Sequence, residues 1–248
     1  MQMSNFTSDS SNEEPGVLRV YLLGLLDFDA ALALQEHFVD EVASREDGSG
    51  ILLLCEHPPT ITIGRNGSRA DVVPGQQELK QREIPVRWVS RGGGTVMHSP
   101  GQLAVYPILP LNRLNLGLAS FVERLHGSVH DLAAELKMPV EPSGGTAAGI
   151  HGRCGQFATV GVAVRDWVSC HGLFVNVSPA KEFLRLVRPA GEPGYASIQQ
   201  QRQRAASMHS IRERMIRSVA TRMGYSRHYL FTSHPLLKRT VRKVYVPA

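Results

Sequence analysis

The sequence predicts an α/β fold, a mixed sheet flanked by helices, and three observations carry that reading. Ile51 to Cys55 is an unbroken apolar run too short for a helix, which is the pattern of a strand buried on both faces. Gln156 to Val164 and Ser169 to Asn176 are strand-like runs joined by the short turn Arg165 to Trp167, which makes them an antiparallel hairpin. Between such strands stand two stretches of helical period: Ala31, Leu34, Phe38 and Val42, then Phe121, Leu125, Val129, Leu132 and Leu136. Strands of both kinds with helices between them predict three layers.

In chain order, Val17 to Leu23 reads as a strand, and Asp27 is placed to cap the helix at Ala31 to Val42. The buried strand at Ile51 stops at Glu56-His57-Pro58-Pro59, because two prolines remove ladder donors. Thr60 to Ile63 alternates again and leads into a polar connection, from Gly64 to Pro85, long enough to fold over a ligand. Arg87 to Ser90 reads as a strand, and another short strand carries His98 to a Ser-Pro-Gly turn before Leu103 to Ile108. Leu118 to Leu136 is the second long helix. The last has Ile211, Met215, Val219 and Met223 on one face and Arg212, Arg214, Arg217 and Arg222 on the others.

Composition narrows the class. Hydrophobic content of 42% and charged content of 20% fit a globular chain of 248 residues. No apolar run approaches the roughly 18 residues that span a bilayer, so no membrane role is expected. Residues 1–16 are rich in Ser, Asn and Glu and read as a disordered lead to one domain over residues 17–248. Three cysteines, Cys55, Cys154 and Cys170, show no CxxC spacing, which fits a reducing cytoplasm. Gln199 to Ala248 holds 11 Arg and Lys against one acid, Glu213, a net +10 that leaves the first 198 residues at −5. That basic segment is expected to dock an acidic protein; without interleaved aromatics it does not suggest nucleic acid.

The densest chemistry lies between Val89 and Leu111. Arg91 enters three consecutive glycines, where the backbone can approach a ligand closely and offer N–H groups not shielded by any Cβ, and His98 follows. Such a stretch can cradle a phosphate, a carboxylate or a thioester carbonyl, or simply form a glycine-rich hairpin with a satisfied histidine. It lacks the Gly-Lys-Ser/Thr of a P-loop and the spacing of a dinucleotide fingerprint.

Four ordered blocks resemble the lipoyl/octanoyl transferase family, also called lipoate-protein ligase B, over nearly the whole chain after residue 16. Leu23-Gly24-Leu25 with Ala33-Leu34-Gln35 is similar to its opening strand and helix, and Leu53-Leu54-Cys55-Glu56-His57-Pro58-Pro59 to its Glu-His-Pro-Pro block. Arg91-Gly92-Gly93 through His98-Ser99-Pro100-Gly101-Gln102, then Tyr106-Pro107, is similar to its Arg-Gly-Gly block, and His171-Gly172-Leu173 with Asn176 to its His-Gly block. The resemblance implies a biotin/lipoate protein ligase-like fold. It implies a cytoplasmic enzyme that moves an octanoyl group from acyl carrier protein to a lysine of lipoyl domains, those of 2-oxoacid dehydrogenases or the glycine cleavage H protein. No ATP, cofactor or metal is implied. The implied substrate contacts are Arg91, Gly92, Gly93, Gly94, Thr95, Val96, Met97 and His98, then Thr159, Val160 and Gly161, then His171, Gly172 and Leu173.

The family works through an acyl-cysteine in a Pro-Cys-Gly motif, its thiol pKa lowered by a lysine on the preceding hairpin. Here those positions read Pro189-Ala190-Gly191 and Gln156. A methyl group forms no thioester and a neutral amide supplies no charge. Cys154 is the candidate substitute thiol, expected on an extended segment facing the same side as Gln156, whereas Cys170, beside His171, is expected to point into the core. The readings that remain are a slow acyltransferase, a non-catalytic homologue that binds acyl groups or lipoyl domains, and an ATP-dependent lipoate ligase. Gln156, Pro100-Gly101-Gln102 and Tyr106-Pro107 count against the last.

Overall fold

The computed structural model describes residues 16–141, 149–189 and 194–237. Strand β1 (Leu18–Leu25) leads to helix α1 (Phe28–Ala43), whose cap is Asp27: its carboxylate accepts from the N–H groups of Asp29 and Ala30. Then follow β2 (Gly50–Glu56) and β3 (Thr60–Ile63), a 3₁₀ turn (Arg69–Asp71), α2 (Gln76–Gln81), β4 (Val86–Trp88), β5 (Thr95–His98) and β6 (Gln102–Ile108). Helix α3 (Leu118–Glu135) precedes β7 (Gly149–Gly152), β8 (Gly155–Arg165) and β9 (Val168–Asn176). The described chain closes with α4 (Lys181–Leu184), α5 (Ile198–Arg202), α6 (Met208–Met223) and β10 (His228–Phe231).

Seven strands form a mixed sheet in the order β10-β1-β2-β6-β9-β8-β7, with β1 parallel to both neighbours and the other pairs antiparallel. The period-2 geometry of a strand sorts its residues onto two cores. Leu52 and Leu54 of β2 pack in the cluster holding Phe121, Leu125 and Val129 of α3 and Met215 and Val219 of α6. Ile51, Leu53 and Cys55 face the opposite way, into the cluster holding Leu34, Phe38 and Val42 of α1. Each such side chain contributes about 1.5–3 kcal/mol on burial, so β2, apolar on both faces, joins the two cores as its sequence predicts.

The expectation of one sheet is incomplete. Strands β4, β3 and β5 make a separate three-stranded sheet with its own apolar cluster, Ile61, Ile63 and Met97 against Val72, Leu79 and Val187. The strand expected at Arg87 to Ser90 is β4, ending at Trp88, because Ser90 already belongs to the turn into the glycines. The polar connection from Gly64 to Pro85 is ordered by the 3₁₀ turn and α2, which lie on this small sheet. The lead at 1–15 and the residue Ala190 lie outside the described residues.

The arginines of α6 are engaged within the molecule. Arg222 pairs with Asp131, Arg214 and Arg217 both pair with Glu135 on α3, and Arg212 reaches Glu56 at 3.6 Å. Four of the cations in the segment expected to dock an acidic protein, Gln199 to Ala248, are thus paired within the molecule, three of them along a seam between α6 and α3.

Candidate active site

The small sheet holds Arg91 to His98 against the hairpin β8–β9. Gly92 N–H donates to Val162 O at 2.9 Å, and the turn after β3 donates from Gly64, Arg65 and Asn66 to the carbonyls of Gly94, Arg91 and Gly93. The approach is close enough to exclude side chains from the partner strands: a Cβ at Gly161 would stand 2.6 Å from Gly92 O, and one at Gly64 would stand 2.5 Å from Gly93 O. Of the loop's N–H groups, that of Gly92 is thus already committed to the hairpin.

Arg91 is the largest fully buried side chain among the described residues. Its guanidinium donates to the carbonyls of Gly92 and Gly94 at 3.0 Å each, to Thr62 O at 3.1 Å and to Thr62 Oγ1 at 2.8 Å, and it lies 5.7 Å over the Phe174 ring. Burial lowers its pKa to about 10, which leaves it charged at neutral pH. It frames the glycine loop from behind.

His98 continues this network. Gln102 Nε2 donates to Met97 O and Asn176 Oδ1, so its Oε1 faces His98 Nδ1 at 2.7 Å and that nitrogen carries the proton. His98 Nε2 then accepts from Thr62 Oγ1 at 2.8 Å, and Asn176 Nδ2 donates to Ala196 O. One chain of hydrogen bonds therefore joins the Arg-Gly-Gly block to the His-Gly block. Phe28 stacks on His98 at 5.3 Å, and Phe174 meets it edge-on at 4.6 Å. His57 donates from Nδ1 to Leu26 O and accepts at Nε2 from Tyr106 OH, both at 2.7 Å.

Desolvation holds these imidazoles uncharged. It moves His98 well below the usual histidine range and His57 down to about 4. His171, where the Arg91 charge adds to burial, also falls to about 4. His171 has left-handed backbone (φ +57°), its N–H donates to Gln35 Oε1 at 2.8 Å, and its Nε2 stands 3.4 Å from Ser90 Oγ. The loop and the His-Gly strand are thus in direct contact, as expected, and Gly172 pairs with Gly161 while Leu173 pairs with Val160.

Gln156 opens β8 and is buried. Its amide donates to Thr159 Oγ1 at 2.7 Å, and its backbone is bracketed by Gly194 O and the Ala196 N–H. Cys154 departs from expectation. It is exposed in the turn between β7 and β8, with its N–H on Gln201 Oε1 and its thiol 3.9 Å from Gln200 O, so it does not share an extended segment with Gln156. Cys170 is half-buried: it packs against the edge of the second core, as expected, and also lines a second cavity of about 310 Å³ between α1 and the far end of the hairpin. Burial raises its thiol pKa.

Two contributors escape a sequence reading. Thr62 and Tyr195 hold the site together with Gln102 of the Arg-Gly-Gly block, yet both resemble ordinary strand or turn composition. Tyr195 OH donates to Thr95 O at 2.8 Å, which ties the end of the glycine loop to the segment facing Gln156. Tyr195 also walls an open cleft of about 580 Å³, whose other lining residues include Lys181, Arg185, Arg188 and Gln200. Among the described residues no group of three His, Cys, Asp or Glu is arranged to hold a metal ion, and no helix is long and apolar enough to cross a membrane.

The family model described as lipoyl protein ligase A/B catalytic domain matches residues 27–222. An octanoyltransferase of Citrifermentans bemidjiense is 38% identical over 172 residues, covering 69% of this chain and 79% of that protein. An octanoyltransferase of Porphyromonas gingivalis is 32% identical over 186 residues; the match covers 71% of this chain but 38% of that longer relative. Among solved structures, the bipartite lipoate protein ligase of Thermoplasma acidophilum, studied with its E2 lipoyl domain, superposes with a TM-score of 0.64 at 16% identity, over 88% of each chain. That last likeness is one of fold.

Proposed function

The chain belongs to the lipoyl protein ligase A/B catalytic-domain family, and from that premise we propose that it transfers an octanoyl group from acyl carrier protein to a lysine of lipoyl domains. Relatives named octanoyltransferase, at 32–38% identity, support the reaction class. The observation that carries the reading to this chain is the single hydrogen-bond chain from Arg91 through Thr62, His98 and Gln102 to Asn176. It fixes the glycine loop against Gly161 and Gly172, the segments that the resemblance assigns to substrate. In this reading Arg91 and His98 act as positioning residues, since both terminal nitrogens of the Arg91 guanidinium and both ring nitrogens of His98 are bound by the protein itself. The backbone from Gly92 to His98, with Thr159 to Gly161 and His171 to Leu173, forms the acyl-binding surface.

Chemistry at the reacting carbonyl differs from that of a cysteine-bearing relative. With Gln156 and Ala190 at the two reactive positions, no acyl-enzyme forms at residue 190. Transfer then proceeds by direct attack: the acceptor lysine nitrogen bonds to the thioester carbonyl carbon, the C–S bond breaks, and the carrier thiol leaves with a proton. Positioning and carbonyl polarisation remain, while covalent catalysis is lost. The test is to incubate the protein with octanoyl-carrier protein and a lipoyl domain, without ATP, and follow the mass of the domain. Slow ATP-independent octanoylation is expected, with a rate increase of about 10² or more for Ala190→Cys with Gln156→Lys. Absence of transfer by both proteins, with the octanoyl-carrier also unbound, refutes the reading; binding without transfer by the parent, rescued in the double variant, assigns the parent a binding role. Labelling abolished by Cys154→Ala would move the nucleophile to the β7–β8 turn.

A further inference from the structure

We propose that the cleft walled by Lys181, Arg185, Arg188 and Tyr195 is the docking site of the acyl donor, an acidic carrier protein whose acyl thioester hangs on a phosphodiester-linked arm. The proposal deepens the reading above and rests on it. Its first support is a difference in charge pairing. Every α6 arginine from Arg212 to Arg222 meets an acid of this chain. Lys181, Arg185 and Arg188 are exposed and, among the described residues, make no ion pair and no side-chain hydrogen bond. Glu182, on the same turn, does not line the cleft. Three uncompensated cations around one concavity attract a polyanionic partner and hold a phosphodiester at its mouth.

The second support is where the cleft leads. Tyr195 stands between the cleft and the loop: its hydroxyl reaches Thr95 O, while the flanking Gly194 O and Ala196 N–H bracket Gln156. An arm entering past Arg185 and Arg188 therefore meets Tyr195, which separates the cleft from the glycine loop, beside the hairpin position that the resemblance assigns to chemistry. Leu184, Val187 and Pro189 line the same opening and offer apolar contact to the arm beyond its phosphate. A cleft of about 580 Å³ accommodates such an arm with its short acyl chain.

The experiment is a binding titration of full-length protein with octanoyl-carrier protein in which the thioester is replaced by a non-transferable amide, at low and at physiological salt. Reversal of the rim by Lys181→Glu, Arg185→Glu and Arg188→Glu is expected to weaken binding about 100-fold at low salt and to flatten its salt dependence. Reversal of Arg214, Arg217 and Arg222 to Glu serves as the charge-matched control and is expected to change binding by less than about three-fold. Carrier lacking the phosphodiester arm should bind more weakly than the armed form, and the rim variant should erase that difference. Circular dichroism melts establish that each variant is folded, and Arg185→Gln with Arg188→Gln, which removes charge without reversing it, keeps the test valid if the triple variant does not fold. If the parent binds carrier and the folded rim variants bind it equally well, this docking site is wrong while the proposed reaction stands. If the parent binds no carrier at all, both fall.

Discussion

Arg91 has no exposed surface and directs its guanidinium at Thr62 and at the carbonyls of Gly92 and Gly94, whereas Arg214, Arg217 and Arg222 meet Glu135 and Asp131 along a solvated seam. The two regions use one side chain for different ends. A desolvated cation surrounded by carbonyl dipoles fixes a backbone that has no side chains of its own to fix it. Cations in water opposite carboxylates add little stability but decide which helices are neighbours and which surface charges remain for a partner. Helix α6 thus has less free charge than its composition suggests, and the cations at 181–188 have more.

The largest effect expected from this contrast is at Arg91. Arg91→Met leaves four acceptors without their donors and should cost about 3–5 kcal/mol, lowering Tm by roughly 10 °C in a domain of this size. A melt within two or three degrees of the parent, measured with about one degree of error, would show that the loop holds itself and that the contrast is false.

Acid should separate the same regions next. His57 and His171 have folded pKa values near 4, below the unfolded value of about 6.5. The unfolded chain therefore binds protons first as pH falls. Stability is full above about pH 6.5 and declines between 6.5 and 4, by up to about 3 kcal/mol for each ring. Asp131 and Glu135 have lowered folded pKa values, with a hydrogen bond from an arginine as the leading cause in each, so their contribution persists until pH falls below the ordinary carboxylate range. Urea midpoints at pH 7.5, 6 and 5 should thus fall while the α3–α6 seam is still charged. A flat profile over that interval would contradict the burial of neutral imidazoles.

The smallest effect is at the seam. Asp131→Ala should cost no more than about 1 kcal/mol, and the cost should shrink in high salt because the side chains of Arg222 and Asp131 keep 38% and 40% of their surface in solvent. A larger, salt-independent loss would make this pair part of the core after all.

What the sequence makes legible follows from how local each cause is. The glycines, the cap at Asp27, the two-faced run of β2 and the hairpin at Trp167 are dictated by neighbours in the chain, and the structure has them where the pattern puts them. Thr62 reads as one more alternating strand residue, although its hydroxyl links Arg91 to His98 across separations of 29 and 36 residues. Pairing of α6 with α3 likewise depends on which helix lies alongside, so charge counting along Gln199 to Ala248 could not show that the arginines of α6 are already used. Cys154 would face the side of Gln156 only on an extended chain, and the turn between β7 and β8 intervenes. The separate small sheet is invisible for the same reason: β3, β4 and β5 are each too short to declare which sheet they join.

Strand β10 carries a consequence for how the chain is made. It pairs in parallel with β1, Leu18 with His228 and Tyr21 with Phe231, so an edge formed by the first strand is covered by the last described one, about 210 residues later. During synthesis β1 can pair with β2 early, but its outer row of N–H and C=O groups stays open until residue 231 has emerged. A nascent chain in that state presents a parallel-pairing template that others can join. Stop codons placed just after Tyr225 should therefore yield a chain that keeps the α3–α6 core but lacks Phe231, His234 and Leu237 over the second core and aggregates during expression, and a later stop after Leu237 should restore soluble recovery.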